Sequence, residues 1–104
     1  MKAAIDIGTN TVLLLVAEIT ETGLKVVHEE QRMPRLGKGV DLNKTLSINS
    51  IHRVVSSLKE YKNILETQYN DVSEIVVTAT SAVRDASNKN EFISTIKKET
   101  GFDV

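Results

Sequence analysis

Hydrophobic and polar positions follow two different periods along this chain, and the switch between them predicts its elements. Ala3 to Ile7 is short, mostly apolar and closed by Gly8, which predicts a strand buried on both faces rather than a helix. Thr11 to Ile19 resumes with β-branched residues and leucines, and Glu21-Thr22-Gly23 supplies a turn before a third extended run, Leu24 to Met33. That run begins Leu-Lys-Val-Val and then turns polar, so three strands joined by tight turns are expected, with the third nearest an edge. Pro34 to Val40 holds the only proline and two glycines, the mark of a loop or a distorted strand end.

Beyond that loop the period lengthens. Ile51, Val54, Val55, Leu58, Tyr61, Ile64, Leu65 and Tyr69 recur at spacings of three and four, while Arg53, Lys59, Glu60 and Lys62 fall on the other side. This is an amphipathic helix with Ser47 as its N-cap. Ser73 to Thr78 reads as a short buried strand centred on Ile75-Val76-Val77. A second helix is expected over about Asn88 to Thr100. Asn88 and Glu91 have capping-box spacing, Phe92, Ile93 and Ile96 form the apolar stripe, Lys97 and Lys98 complement the C-terminal dipole, and Gly101 ends it. Phe102-Asp103-Val104 reads as the opening of another strand. The order β-β-β-α-β-α, followed by an unfinished β, implies an α/β fold with a mixed sheet covered by helices.

Composition narrows the function classes. With 104 residues, 40% of them hydrophobic and 26% charged, the chain has enough apolar material for one domain core. Thirteen Lys and Arg against fourteen Asp and Glu give a net charge of −1, so no global positive field exists to hold nucleic acid or an anionic membrane. The absence of cysteine removes disulfides, thiolate metal sites and cysteine nucleophiles. The longest apolar stretch, Val12 to Ala17, is too short to span a bilayer, and Asp6 interrupts the run after Lys2 that would otherwise suggest a signal peptide. A soluble, cytoplasmic protein is expected.

Three segments carry candidate chemistry. Asp6-Ile7-Gly8-Thr9-Asn10-Thr11 links the first two strands, and small residues there expose backbone N–H groups in a concavity suited to a phosphate oxygen. A carboxylate at Asp6, at the end of a buried strand, needs a metal, water or donors. The plainer alternative is a hairpin turn whose N–H groups Asp6 caps. Thr78 to Asn88 follows the fourth strand, where ligands of open α/β sheets gather; Arg84 could clamp a phosphate, or Thr80 or Ser81 could cap a helical turn while Arg84 pairs with Asp85 or solvent. Arg35-Leu36-Gly37-Lys38-Gly39, with Arg32 and Lys44 nearby, concentrates positive charge or is a solvated glycine loop. His28 and His52 have no spaced partner resembling a metal site, and Glu29 with Glu30 reads as a solvated strand face. Neither Gly-x-x-x-x-Gly-Lys-Ser/Thr nor Gly-x-Gly-x-x-Gly occurs.

In wording and order these three segments resemble the exopolyphosphatase and guanosine pentaphosphate phosphatase family. Asp6 to Thr11 is similar to its first phosphate loop, Arg35 to Gly39 to its Arg-Leu-Gly-x-Gly segment, and Ala79 to Asn88 to its Ala-Thr-Ser-Ala-x-Arg-x-Ala-x-Asn segment. The resemblance implies a ribonuclease H-like core of the actin-like ATPase superfamily. It also implies release of orthophosphate, with Mg²⁺, from inorganic polyphosphate or from a phosphorylated guanosine nucleotide. Asp6 would place the metal; Gly8, Thr9, Asn10, Thr11, Arg35, Gly37 and Arg84 would bind substrate phosphates. A phosphate-ligand sensor of the same superfamily that does not hydrolyse is the alternative, and the wording at Asn10 and around Arg84 disfavours a kinase.

The family's catalytic glutamate lies in a Gly-x-Glu-Glu-Ala-Arg segment absent from these 104 residues, as are its second phosphate loop and partner domain. Residues 1–104 are therefore expected to be a single N-terminal subdomain of a longer two-domain phosphatase. Alone, they are expected to bind phosphate weakly, catalyse little, and be marginally stable or self-associate through an incomplete sheet edge. Nothing in the spacing of Glu29, Glu30 or Glu91 places any of them in the vacant role of base.

Overall fold

A computed structural model of the chain describes residues 1–36 and 45–104. The predicted hairpins form as expected. Strand β1 spans Lys2–Ile7, β2 Val12–Thr20 and β3 Gly23–Arg32. Gly23, at φ 132°, makes the second turn in a conformation that L side chains rarely adopt. Helix α1, Ile48–Gln68, then crosses the sheet and delivers β4, Glu74–Ala79, parallel to β1; a parallel pair requires such a crossover. A four-residue helix α2, Ser81–Arg84, and helix α3, Lys89–Thr100, follow. The sheet order is β3-β2-β1-β4, with β1–β2 and β2–β3 antiparallel, so the polar third strand is an edge as predicted.

Among the described residues the core lies on one face of the sheet. Ala3, Ile5 and Ile7 of β1 and Val12, Leu14 and Val16 of β2 are buried against Val54, Leu58, Tyr61 and Leu65 of α1 and Phe92 and Ile96 of α3. Strand alternation places their neighbours on the opposite face, which no helix covers among the described residues. There Ala4, Leu15, Ala17, Ile19, Leu24 and Val76 line a shallow apolar depression of about 230 Å³. Two expectations are corrected by this arrangement. Strand β1 is buried on one face rather than both, since Lys2, Ala4 and Asp6 are exposed. Strand β4 is an edge whose Ile75 and Val76 are 40% and 47% exposed, with Val77 alone buried. A continuous apolar run identifies a strand but not the number of layers that cover it.

The helix ends follow the sequence in part. The Ser47 side chain accepts from the Ser50 N–H as the N-cap of α1, and Gly101 ends α3 in the left-handed conformation at φ 81°. Asn88 makes no side-chain cap bond to α3. Its amide instead clasps the chain ahead of α1, donating to the Leu46 carbonyl and accepting from the Leu46 N–H, each at 2.9 Å. Residues 102–104 form no strand: Phe102 is buried in the core, and its N–H donates to Thr100 Oγ1 at 3.1 Å.

Candidate functional site

The turn between β1 and β2 closes tightly. The Gly8 N–H donates to the Thr11 carbonyl at 2.7 Å, and a Cβ on Gly8 would lie 2.9 Å from that same oxygen. Glycine is required by this approach, not by an unusual dihedral. Gly8→Ala is therefore expected to cost about 1–3 kcal/mol of stability through overpacking against backbone. A urea midpoint equal to that of the wild type would show that the turn relaxes around the extra methyl. The N–H groups of Thr9, Asn10 and Thr11 have no backbone acceptor among the described residues, so the turn presents donors to solvent or a ligand.

Two further segments are bonded to this turn. Beyond β4, the Thr80 N–H donates to the Ile7 carbonyl at 3.0 Å, extending the β1–β4 pairing past the strand ends. The Thr80 carbonyl then accepts from Val83 and Arg84, both at 3.1 Å, starting α2. Thr80 Oγ1 is buried and has no hydrogen-bond partner among the described residues. From the other side, the Arg35 N–H donates to the Asn10 carbonyl at 3.1 Å, with Arg35 itself left-handed at φ 56°. Segments that are far apart in sequence thus meet at one end of the sheet, where β1 and β4 both finish.

Asp6 is exposed on the uncovered face, so its carboxylate bears no burial cost, contrary to expectation; Thr78 Oγ1 donates to its Oδ1 at 3.2 Å. Together they border an open depression of about 240 Å³ that Leu13, Leu15, Glu29 and Val76 also line. Arg84 is exposed at the end of α2 and makes no ion pair among the described residues, Asp85 included. Gly37 lies outside the described residues, as do Lys38 and Lys44. Arg32 is not available to a ligand in the way its place in the sequence implied. It bridges Glu30 at 2.7 Å and Glu60 at 2.8 Å and stacks 5.4 Å over the Tyr61 ring. Glu30 in turn meets His28, whose other ring nitrogen meets the Tyr69 hydroxyl. The His28 hydrogen bond, chiefly, holds the Glu30 carboxyl below its ordinary range. This chain of contacts ties β3 to α1 and has a structural role.

No group of three His, Cys, Asp or Glu side chains able to hold a metal occurs among the described residues. The donor set at Asp6, one accessible carboxylate beside a hydroxyl, fits a hard cation that keeps its waters and takes other ligands from a substrate, as Mg²⁺ does.

Residues 15–104 match the model of the Ppx/GppA phosphatase family. The chain belongs to that family. The Ppx/GppA match takes in the Arg35, Gly37 and Arg84 segments and begins after the Asp6–Thr11 loop. The chain is 36% identical to a bifunctional 3-dehydroquinate synthase/phosphatase of Fusobacterium nucleatum, covering 96% of this chain and 16% of that protein. It is 35% identical to exopolyphosphatase 2 of Mycobacterium tuberculosis, covering 88% of this chain and 30% of the relative. The crystal structure of the Aquifex aeolicus Ppx/GppA family member superposes with a TM-score of 0.90 at 34% identity, over 98% of this chain and 33% of that one. The four-stranded mixed sheet with its helices accordingly has the α/β architecture of solved Ppx/GppA proteins and is consistent with the actin-like, ribonuclease H-like fold. The chain spans between about a sixth and a third of the length of these proteins.

Proposed function

We propose that these residues form the phosphate-binding part of a hydrolase that releases orthophosphate from inorganic polyphosphate or a pentaphosphorylated guanosine nucleotide. The observation that carries this reading is the meeting of three segments at one end of the sheet, through the Arg35–Asn10 and Thr80–Ile7 backbone bonds. Phosphoryl transfer asks a protein mainly to position a charged chain and to neutralise it. The N–H groups of Thr9 to Thr11 donate to phosphate oxygens, the exposed Arg84 guanidinium grips a phosphate with its planar fork, and the Thr80 hydroxyl, buried and without a partner among the described residues, is one more donor just beyond β4. Asp6 is the residue that would hold Mg²⁺, which supplies charge neutralisation and bound water when present. No described carboxylate is assigned the role of base; Glu30 is committed to His28 and Arg32.

Titration of the ¹⁵N-labelled chain with inorganic tripolyphosphate and Mg²⁺ tests the reading. Amide shifts are expected at Gly8–Thr11, Thr80 and Arg84, and the Mg²⁺-dependent part of the affinity should vanish in Asp6→Asn. Absence of shifts at millimolar ligand, or shifts confined to the opposite end of the sheet, would overturn it.

A further inference from the structure

The polar side of α1 contains one cation that does not behave as a solvated charge. Arg53 sits one turn into the helix and donates from Nε to the Pro34 carbonyl at 2.6 Å and from Nη2 to the Arg35 carbonyl at 3.3 Å. The same Nη2 reaches Ser50 Oγ at 2.9 Å. Ser50 is fully buried and is itself fixed by the N-cap, since Ser47 Oγ donates to Ser50 Oγ at 2.8 Å. Arg53 makes no ion pair among the described residues, so its fork is given to two successive backbone carbonyls and a hydroxyl instead.

Those two carbonyls belong to the point where the chain does something unfavourable. Arg35 is the one non-glycine residue with positive φ among the described residues, and a side chain there strains the backbone unless its surroundings hold it. In that conformation its N–H is aimed at the Asn10 carbonyl, in the middle of the donor turn. The chain of contacts therefore runs without a gap from the α1 N-cap through Ser50, Arg53 and Arg35 to Asn10.

We infer that Arg53 is a positioning residue: it holds Arg35 in its left-handed conformation and thereby sets the donor turn at Gly8–Thr11 for phosphate, without touching the ligand. This rests on the proposed function for its ligand but not for its local geometry. A fork that spans two carbonyls cannot be replaced by an ammonium, so charge and shape are separable here. When a binding-competent conformation is only fractionally populated, apparent affinity falls by that fraction. Arg53→Lys is thus expected to weaken tripolyphosphate binding about fivefold to tenfold despite its retained charge, with Arg53→Met similar. Because Arg53 remains exposed overall, both variants should melt within a few degrees of the wild type.

The decisive measurement is a double-mutant cycle with Arg35→Gly, since glycine adopts the left-handed region without strain. If Arg53 acts through that strain, Arg53→Lys should change affinity less than twofold in the Arg35→Gly background. Full affinity in Arg53→Lys, or equal losses in both backgrounds, would overturn the proposal. Amide hydrogen exchange at Arg35 in the ligand-free chain supplies a second reading. It should accelerate in Arg53→Lys while core amides of β1 stay protected, and unchanged protection would also overturn the proposal. If the wild type fails to bind tripolyphosphate while the Arg35 amide responds in this way, the proposed function falls and the positioning role stands.

Discussion

Replacing Arg84 with alanine should weaken tripolyphosphate binding about tenfold to a hundredfold, the range expected when a charge-assisted hydrogen bond of about 1.5–3 kcal/mol is lost. The guanidinium is exposed and has no carboxylate partner among the described residues, so no internal pair must be broken before it grips a ligand. For the same reason its removal should leave stability within about 0.5 kcal/mol of the wild type. Arg84→Lys should recover part of the affinity, because an ammonium supplies the charge without the planar fork. The loss should also shrink as salt rises, since an exposed cation is screened. Isothermal titration of both variants at two ionic strengths checks the affinity loss, the lysine recovery and the salt dependence, and a urea melt checks the stability. Affinity unchanged in Arg84→Ala would remove the residue from the site and leave the backbone donors of the turn to account for binding.

The contrast between Arg84 and Arg32 marks how far the site could be read from residues alone. Arg84 lies within one family-like segment and Arg32 just ahead of another, and both are cations in a nearly neutral chain. What separates them is a tertiary contact. Glu60, 28 residues away on α1, takes Arg32, whereas no described carboxylate reaches Arg84. Arg53 is the converse case: helical periodicity puts it on the polar side, where solvation is the default, and only the return of Pro34–Arg35 over α1 reveals its fork at work. The order of β1 to β4, α1 and α3, the α1 stripe, the Ser47 cap and the Gly101 stop were legible because each depends on spacing within a few residues, whereas residues 102–104 make no strand and α2 enters between β4 and α3. Layering was not, because the runs in β1 and β4 are apolar whether one face is covered or two. Asn88 shows the same limit, since its spacing to Glu91 fits a capping box but its amide finds a better pair of partners on Leu46.

Tyr61 should prove the most sensitive single position for folding. Its ring is fully buried where α1 meets the sheet, and its hydroxyl donates to the Val12 carbonyl of β2 at 2.6 Å. Tyr61→Ala is expected to cost about 3–5 kcal/mol, out of a total of about 5–15 kcal/mol for a domain of this size. Tyr61→Phe keeps the ring but leaves the Val12 carbonyl without its side-chain donor, at about 1–3 kcal/mol. The two substitutions also differ in what they do at high pH. Burial, above all, pushes the Tyr61 phenol from 10.0 up to about 12, with the Arg32 charge opposing and Glu30 and Glu60 reinforcing the rise. A phenol that ionises later in the folded state than in the unfolded one stabilises the fold below pH 10 and loses that contribution as pH climbs to about 12. The gap corresponds to about 2–3 kcal/mol. Urea midpoints measured from pH 8 to pH 12 should therefore fall more steeply in the wild type than in Tyr61→Phe, and the two curves should converge at the alkaline end. Parallel curves across that range would mean that the Tyr61 hydroxyl does not remain protonated in the fold, and that its bond to Val12 is not what joins α1 to β2.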